Sequence, residues 1–290
     1  MKGISAVVAT YRRSKELKTL LDSIISNEIP NIEVIIVDQN SDGLIDSIIE
    51  DYKNKLDIVH LKIKEPNQSK ARNTGAESAK YSILCFPDDD CWFEKDSLQK
   101  TEKYFESNSQ TDLLIINWKQ NPRVVSNSYQ LKKKDMFSFR SVGYVTYVLF
   151  FKTDVFLSLG GFIIDIGIGK YIGGGEDSEL AFRAITNDLN IYYNGEIFVN
   201  HNYISIYSRD LKVLRARQRA MGLMYVMYDI PFYIILRGIV SPIVKIFIAF
   251  NGKKIRQHYN LFLGRIEGYK YGKKNKHIIK KPFKINKPFE

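Results

Sequence analysis

Three consecutive carboxylates, Asp88-Asp89-Asp90, follow an apolar run, Tyr81-Ser-Ile-Leu-Cys-Phe-Pro87, that reads as a buried strand. Charges of one sign at a strand's end repel one another unless something positive lies among them. Hard divalent cations meet that need, because they prefer carboxylate oxygens and bridge readily to phosphates. A second acidic cluster, Glu176-Asp177-Ser178-Glu179, comes directly after the run Gly173-Gly174-Gly175. Glycine lets a backbone pass close to a ligand, and an acidic residue opening a helix meets the positive end of its dipole. One cluster holding a metal while the other supplies a general base points to an enzyme. Taken singly, the residues have plainer readings: Asp is a common helix cap, Glu176-Asp177 a common helix start, and His201 an ordinary histidine after a strand.

Those side chains need a scaffold, and the first half of the chain alternates strand and helix signals. Ile4–Ala9 is a short apolar run, and Ser14 is placed to cap a helix through Ile25 with Leu17, Leu20, Leu21 and Ile24 on one face. Ile32–Val37 reads as a buried strand ending in Asp38, residues 43–52 as a helix, and Ile58–Ile63 as the next strand. Ser69 is placed to cap a helix through Ala79, before the strand that meets the acidic run. Successive strand–helix units imply a mainly parallel, Rossmann-like sheet with helices on both faces. Such sheets bind ligands at the carboxyl ends of their strands, where Asp38 and Asp88 both fall. The first turn, Ala9-Thr-Tyr-Arg-Arg13, has no glycine, so neither a G-x-G-x-x-G dinucleotide loop nor a P-loop is present.

Beyond Lys119 the pattern is mixed. Lys132–Lys134 mark a polar connection, Val145–Phe151 reads as a central strand, and residues 160–175 as loop. Glu176–Thr186 reads as a helix, followed by two short strands, Ile191–Tyr193 and Ile197–Val199, leading to His201. Three helical segments follow, Ser208–Tyr228, Phe232–Phe250 and Lys254–Tyr271, before a tail of linker composition. The expected domains are residues 1–204, a C-terminal helical appendage over 205–272 and a basic tail over 273–290.

The net charge of +11 is unevenly placed: Gly252–Glu290 holds 12 Lys/Arg against 2 acidic residues, and the rest of the chain is nearly balanced. That asymmetry calls for an anionic partner for the C-terminal end. Cys85 and Cys91, the only cysteines, have no metal-ligand spacing and suit a reducing compartment. The opening Met1-Lys-Gly-Ile-Ser-Ala-Val-Val lacks the basic stretch and long apolar core of a signal peptide.

Five motifs in order carry a family resemblance over roughly residues 3 to 201: Val7-Val-Ala-Thr-Tyr11, Val37-Asp38-Gln-Asn-Ser41, Ala71-Arg-Asn-Thr-Gly75, Phe86-Pro-Asp-Asp-Asp90 and Gly174-Gly-Glu-Asp177, with Leu180 and Arg183 after the last. Any one is weak, but the ordered set resembles glycosyltransferase family 2 with the GT-A fold, of the type that assembles bacterial polysaccharides. The resemblance implies transfer of a sugar, with inversion, from a nucleotide diphosphate to an acceptor hydroxyl. It implies that Thr10 and Tyr11 line the nucleoside pocket, that Asp38 meets the base's imide N–H, and that Arg72 lies near the nucleotide. It gives Asp88 to the ribose, Asp89 and Glu176 to substrate binding, Asp90 with His201 to Mn2+ or Mg2+, and Asp177 to the catalytic base. An imide partner favours a UDP- or dTDP-sugar. Arg215-Ala-Arg-Gln-Arg219 is followed by no Trp, unlike the motif of processive relatives, which implies one sugar per encounter.

Residues 230–250 are the most apolar stretch, long enough in principle to span a bilayer but interrupted by Arg237, Ser241, Pro242 and Lys245. Charges near a span's centre cost about 2.5–3.5 kcal/mol each, and a single crossing would put the basic tail on the far side, against the positive-inside tendency. A helix in the membrane plane, with Arg209, Lys212, Arg215, Arg217 and Arg219 facing anionic headgroups, avoids both costs. The expectation is therefore a cytoplasmic enzyme, peripheral on the inner face of the cell membrane, with a glycan or lipid-linked glycan acceptor. Two alternatives stay open: a nucleotidyltransferase, which would want a glycine-rich phosphate loop, and a nucleic-acid-binding protein. No nucleic acid is expected, because the basic charge sits in a tail without a recognisable binding motif.

Overall fold

Val/Ile runs such as Ile32-Glu-Val-Ile-Ile-Val-Asp38 suit a sheet covered on both faces, and β-branched side chains pack well on a pleated surface. The computed structural model describes residues 1–120, 127–132, 135, 144–202, 208–228 and 230–275. Within them the strands are β1 (Ile4–Thr10), β2 (Ile32–Asp38), β3 (Asp57–Lys62), β4 (Ile83–Cys85), β5 (Cys91–Phe93), β6 (Leu113–Trp118), β7 (Tyr129–Gln130), β8 (Leu149–Lys152) and β9 (Ile191–His201). The helices are α1 (Lys15–Ile25), α2 (Asp46–Tyr52), α3 (Gln68–Glu77), α4 (Ser97–Ser107), α5 (Thr153–Ser158), α6 (Glu176–Thr186), α7 (Leu211–Met227), α8 (Phe232–Phe247) and α9 (Gly252–Asn275).

The strands form one sheet in the order β3-β2-β1-β4-β8-β6-β9-β5, with β7 added beside β9. The run β3-β2-β1-β4 is parallel, whereas β8 is antiparallel to both β4 and β6. Every residue of β2 is buried, so helices or loops cover both faces there, as a parallel sheet requires. The register sets Thr10 beside Asp38 at the carboxyl ends of β1 and β2. Antiparallel pairing of β5 with β9 sets Cys91 opposite His201. That last pairing carries a distant histidine to the acidic run.

Several sequence expectations are corrected. The stretch Val145–Phe151 is a 3-10 turn at Thr146–Val148 followed by the short β8, which is central as expected. The two strands expected after residue 190 are one, β9, whose pairing with β6 slips between Ile116 and Asn117. The α3 cap is Asn67, whose side chain accepts from the Lys70 N–H at 2.9 Å, rather than Ser69, and Ser14 makes no side-chain capping bond. The expected C-terminal helix ends also shift: α8 stops at Phe247, and α9 runs on to Asn275. Apart from Lys273–Asn275, the expected tail lies outside the described residues.

The chain gathers into two units. One holds Met1–Phe162 and the segment from Arg183 through β9; the other holds Ile163–Phe182 with α7, α8 and α9. In the second unit Ile166, Ile172, Ala220, Leu223 and Met227 form a core. Close approach of α7 and α9 is set by glycine: a Cβ at Gly268 would lie 1.9 Å from the Arg219 carbonyl oxygen, and one at Gly264 2.5 Å from that of Arg215. Arg215 and Arg219 of α7 both pair with Glu267 of α9 beside this seam. Among the described residues no helix is long and apolar enough to cross a membrane.

Candidate active site

At the carboxyl edge of the sheet every acidic residue of the run meets a cationic side chain. Arg72, buried on α3 with Phe162 under its guanidinium at 5.5 Å, donates from Nη2 to Asp88 Oδ1 at 2.6 Å. Arg13, in the turn after β1, reaches Asp89 Oδ1 at 2.8 Å and Asp90 Oδ2 at 2.5 Å. Thr10 Oγ1 donates to Asp89 Oδ2 at 2.9 Å. His201 Nε2 lies 3.2 Å from Asp90 Oδ1.

This arrangement separates neighbouring carboxylates by environment. Burial pushes the Asp89 carboxyl up to about 6, against the opposing charge of Arg13 and the Thr10 hydrogen bond. Burial acts in the same sense on Asp90, but the hydrogen bond and charge of His201, with the charge of Arg13, outweigh it and hold Asp90 below its usual range. For His201 burial opposes the charged ring, yet Asp90 and then Asp88 prevail and its pKa is raised. Asp89 is thus a fixed strut of the loop, and Asp90 is the ionised arm.

His201 is held in a defined orientation. Its Nδ1 lies 2.9 Å from the Asn202 carbonyl oxygen, which can only accept, so Nδ1 carries a proton; the charged ring donates its second N–H, from Nε2, to Asp90, and the neutral ring leaves at Nε2 the lone pair that a metal needs. The ring stacks on Tyr147 with centroids 4.6 Å apart and planes 4° from parallel, and Trp118 meets it edge-on. An imidazole with one nitrogen tied to a carbonyl and the other aimed at carboxylates is how proteins orient a metal-ligating histidine. One donor atom each from Asp88, Asp90 and His201 lie within 4.8 Å of one another. Two carboxylates and an oriented imidazole fit Mn2+ or Mg2+ by donor type, the nitrogen favouring the former.

Asp38 stands one strand away and is fully buried. Its Oδ1 accepts from the Asn40 backbone and side-chain N–H groups, both at 2.8 Å, and its Oδ2 faces His60 Nε2 at 3.3 Å. Asp38, Asp46 and His60 are also spaced for a metal, but Lys62 Nζ already bridges both Asp46 oxygens at 2.8 and 3.0 Å. Tyr11 is exposed beside Arg12, whose φ of 58° is left-handed and whose N–H donates to Asn40 Oδ1 at 2.8 Å. Arg12 therefore fastens the β1 turn to the β2 turn.

Thr10, Arg72, Asp88, Asp89, Asp90 and His201 are thus brought together on the first unit, with Tyr11 and Asp38 along the same edge. Glu176 and Asp177 open α6 in the second unit. There Gly173 donates its N–H to the Ala216 carbonyl of α7 at 3.1 Å, and a Cβ at Gly175, whose φ is +87°, would lie 2.5 Å from the Ala220 Cβ. Glu179, fully buried, bonds the Tyr228 hydroxyl. Sequence reasoning missed Arg13, Asn40, His60 and the Tyr147 stack. Of these Arg13 left a signal, as a cation three positions past Thr10, and Asn40 lies within the motif around Asp38. Cys91, beside the run, is buried with its thiol pKa pushed well up by burial, so it is no nucleophile.

Fold and edge together define a GT-A type α/β protein. Residues 5–158, more than half of the chain, match the profile of Glycosyl transferase family 2, and the chain belongs to that family. It is 32% identical over 121 residues to EpsH of Bacillus subtilis (strain 168), named as a glycosyltransferase, across 40% of this chain and 33% of that protein. It is 28% identical over 123 residues to the poly(ribitol-phosphate) beta-N-acetylglucosaminyltransferase TarS of Staphylococcus aureus, across 41% of this chain and 21% of TarS. The chain thus aligns with a third or less of the length of these two relatives. In fold it is similar to S. aureus TarS 1-349 in complex with UDP-GlcNAc, with a TM-score of 0.62 at 16% identity over 96% of this chain and 92% of that one. It is likewise similar to the mannosyltransferase PcManGT from Pyrobaculum calidifontis in complex with GDP-Man and Mn2+, with a TM-score of 0.66 at 14% identity over 91% of this chain and 86% of that one.

Proposed function

We propose that this chain is a metal-dependent, inverting glycosyltransferase that moves a sugar from a UDP- or dTDP-sugar to a hydroxyl of a glycan acceptor. The observation that carries the reading is the Asp88, Asp90 and His201 group at the strand ends of a family 2 chain. TarS, a relative by sequence and by fold, has been crystallised with UDP-GlcNAc, which supports a uridine donor here. Family membership also sets glycosyl transfer above the nucleotidyl-transfer and nucleic-acid readings.

Each residue then has a task. Asp90 and His201, with Asp88, would hold the cation, and Thr10 and Arg13 fix the run by gripping Asp89. A bound divalent cation supplies Lewis-acid neutralisation of the charge that builds on the departing diphosphate. Tyr11 and the Asp38 turn would serve the nucleoside; an imide N–H would reach Asp38 only once the base displaces its cover, because that carboxylate is fully buried. Arg72 orients Asp88, and Glu176 contributes to substrate binding. Asp177 takes the proton of the acceptor hydroxyl as its oxygen attacks the anomeric carbon and the bond to the diphosphate breaks on the opposite face. The acceptor is lipid-linked, and the enzyme works one sugar at a time on the anionic cytoplasmic face of the cell membrane.

Isothermal titration with UDP, dTDP and GDP, each with and without Mn2+, tests the donor reading. Metal-dependent binding of UDP or dTDP that disappears in Asp90→Ala is the expected result. Absence of nucleotide binding under every condition would sink it.

A further inference from the structure

The helix α8 turns its apolar side outward. Tyr233, Leu236, Val240, Val244 and Phe247 recur in steps of three and four, so they share one face. Tyr233 is 70%, Leu236 49%, Val244 51% and Phe247 84% exposed, while Ile234 and Pro242 are buried. The helix is nevertheless firmly seated within its unit. A Cβ at Gly238 would lie 1.9 Å from the Tyr225 hydroxyl of α7, and Arg265 of α9 donates to the Gly238 carbonyl. The outward ridge is therefore a formed surface.

What covers it is indicated by charge. From Ile230 to Ile266 there are six Lys/Arg and no Asp or Glu. Arg237 and Lys245 are exposed on α8, and Lys253, Lys254 and Arg256 are exposed in the first turns of α9. An apolar ridge among cations, in a stretch without acidic residues, is complementary to a surface of anionic headgroups over acyl chains. At 16 residues α8 is about 24 Å long, short of the ~30 Å hydrocarbon core, so it fits along the membrane rather than through it.

We propose that the Tyr233–Phe247 ridge of α8 is an in-plane anchor that enters the interface of an anionic bilayer, with the neighbouring Lys and Arg side chains on the headgroups. This names the surface behind the membrane placement in the preceding subsection, and rests on that placement.

The test is flotation of the full chain with vesicles of phosphatidylcholine alone or mixed with phosphatidylglycerol, comparing the native sequence with Leu236→Glu/Phe247→Glu. Phe247→Trp reports depth through its emission and its quenching by brominated acyl chains. Binding to the anionic vesicles only, weakened about tenfold or more in the double variant, with blue-shifted and quenched emission from the introduced indole, is expected. Equal flotation of both proteins would overturn the proposal, since basic charge alone would then suffice. So would a concentration-dependent dimer that the double variant abolishes without any vesicle binding, because the ridge would then be covered by a second copy. UDP titration with Mn2+ on the same samples keeps the readings apart: the double variant retains nucleotide binding, so its loss of flotation bears on the anchor alone. Failure of nucleotide binding in the native chain bears on the catalytic reading alone.

Discussion

Arg13 and His201 engage different oxygens of Asp90, and the Arg13 guanidinium competes with a cation for it. A guanidinium within salt-bridge distance of two carboxylates lowers the site's attraction for a second positive charge. Arg13→Met should therefore bind Mn2+ in the absence of nucleotide about tenfold more tightly, roughly 1.4 kcal/mol; titration that found weaker binding would make Arg13 a strut rather than a competitor. His201 adds a pH dependence whose sign follows from its raised pKa. In the metal-free protein the ring–Asp90 pair stabilises below the ordinary histidine value of about 6.5 and is lost as pH rises through the raised one. Metal needs the unprotonated Nε2, so binding runs the other way. The rise in melting temperature on adding Mn2+ should grow from about pH 6 to about pH 8, and His201→Gln should flatten that trend. The acidic run and His201 were legible as types in an order. The Arg13 bridge was not, because it depends on how a turn after β1 meets a loop after β4.

Among the elements, the glycine seam between α7 and α9 makes a sharp claim. At Gly268 an added methyl meets backbone rather than a yielding side chain, so the helices must separate. Gly268→Ala should destabilise the helical unit by about 2 kcal/mol in denaturant titration. Gly252→Ala, where a Cβ meets nothing within 4 Å, should be near neutral. The neighbouring ion pairs predict an acid limb. Glu267 is held below its ordinary range, chiefly by its hydrogen bond to Arg215 against burial, then by Arg219. A depressed carboxylate contributes stability above its unfolded value, lost as pH falls through the folded one, so Glu267→Gln should flatten the loss of stability below about pH 4.5. Period-2 and period-3.6 patterns found β1, β2, α1, α6 and α7 within a few residues. They left β5, β6, β7, α4 and α5 unassigned; in β5 the three residues Cys91-Trp-Phe93 are too few to carry a period. They also divided β9 where its irregular pairing with β6 interrupts the pattern.

For the molecule as a whole, the Asp88, Asp90 and His201 group and Asp177 belong to different compact units, and the proposed reaction asks different things of them. In the proposed reaction donor binding would draw on Asp90, His201 and the β1 and β2 turns, whereas proton removal from the acceptor would draw on Asp177. The two functions should therefore part under mutation. Asp177→Asn keeps the size and hydrogen-bonding reach of the side chain while removing its capacity to take a proton. It should leave Mn2+-dependent UDP affinity unchanged within a factor of two or so and lower transfer about 10²–10⁴-fold, the range typical of a lost general base. Asp90→Ala should lose both. If Asp177→Asn instead weakened nucleotide binding in step with transfer, Asp177 would be a donor-site residue, and the base would have to be sought among the other carboxylates of α6. Glu179 is a poor substitute, being fully buried and bonded to Tyr228, which leaves Glu176 as the side chain to change next.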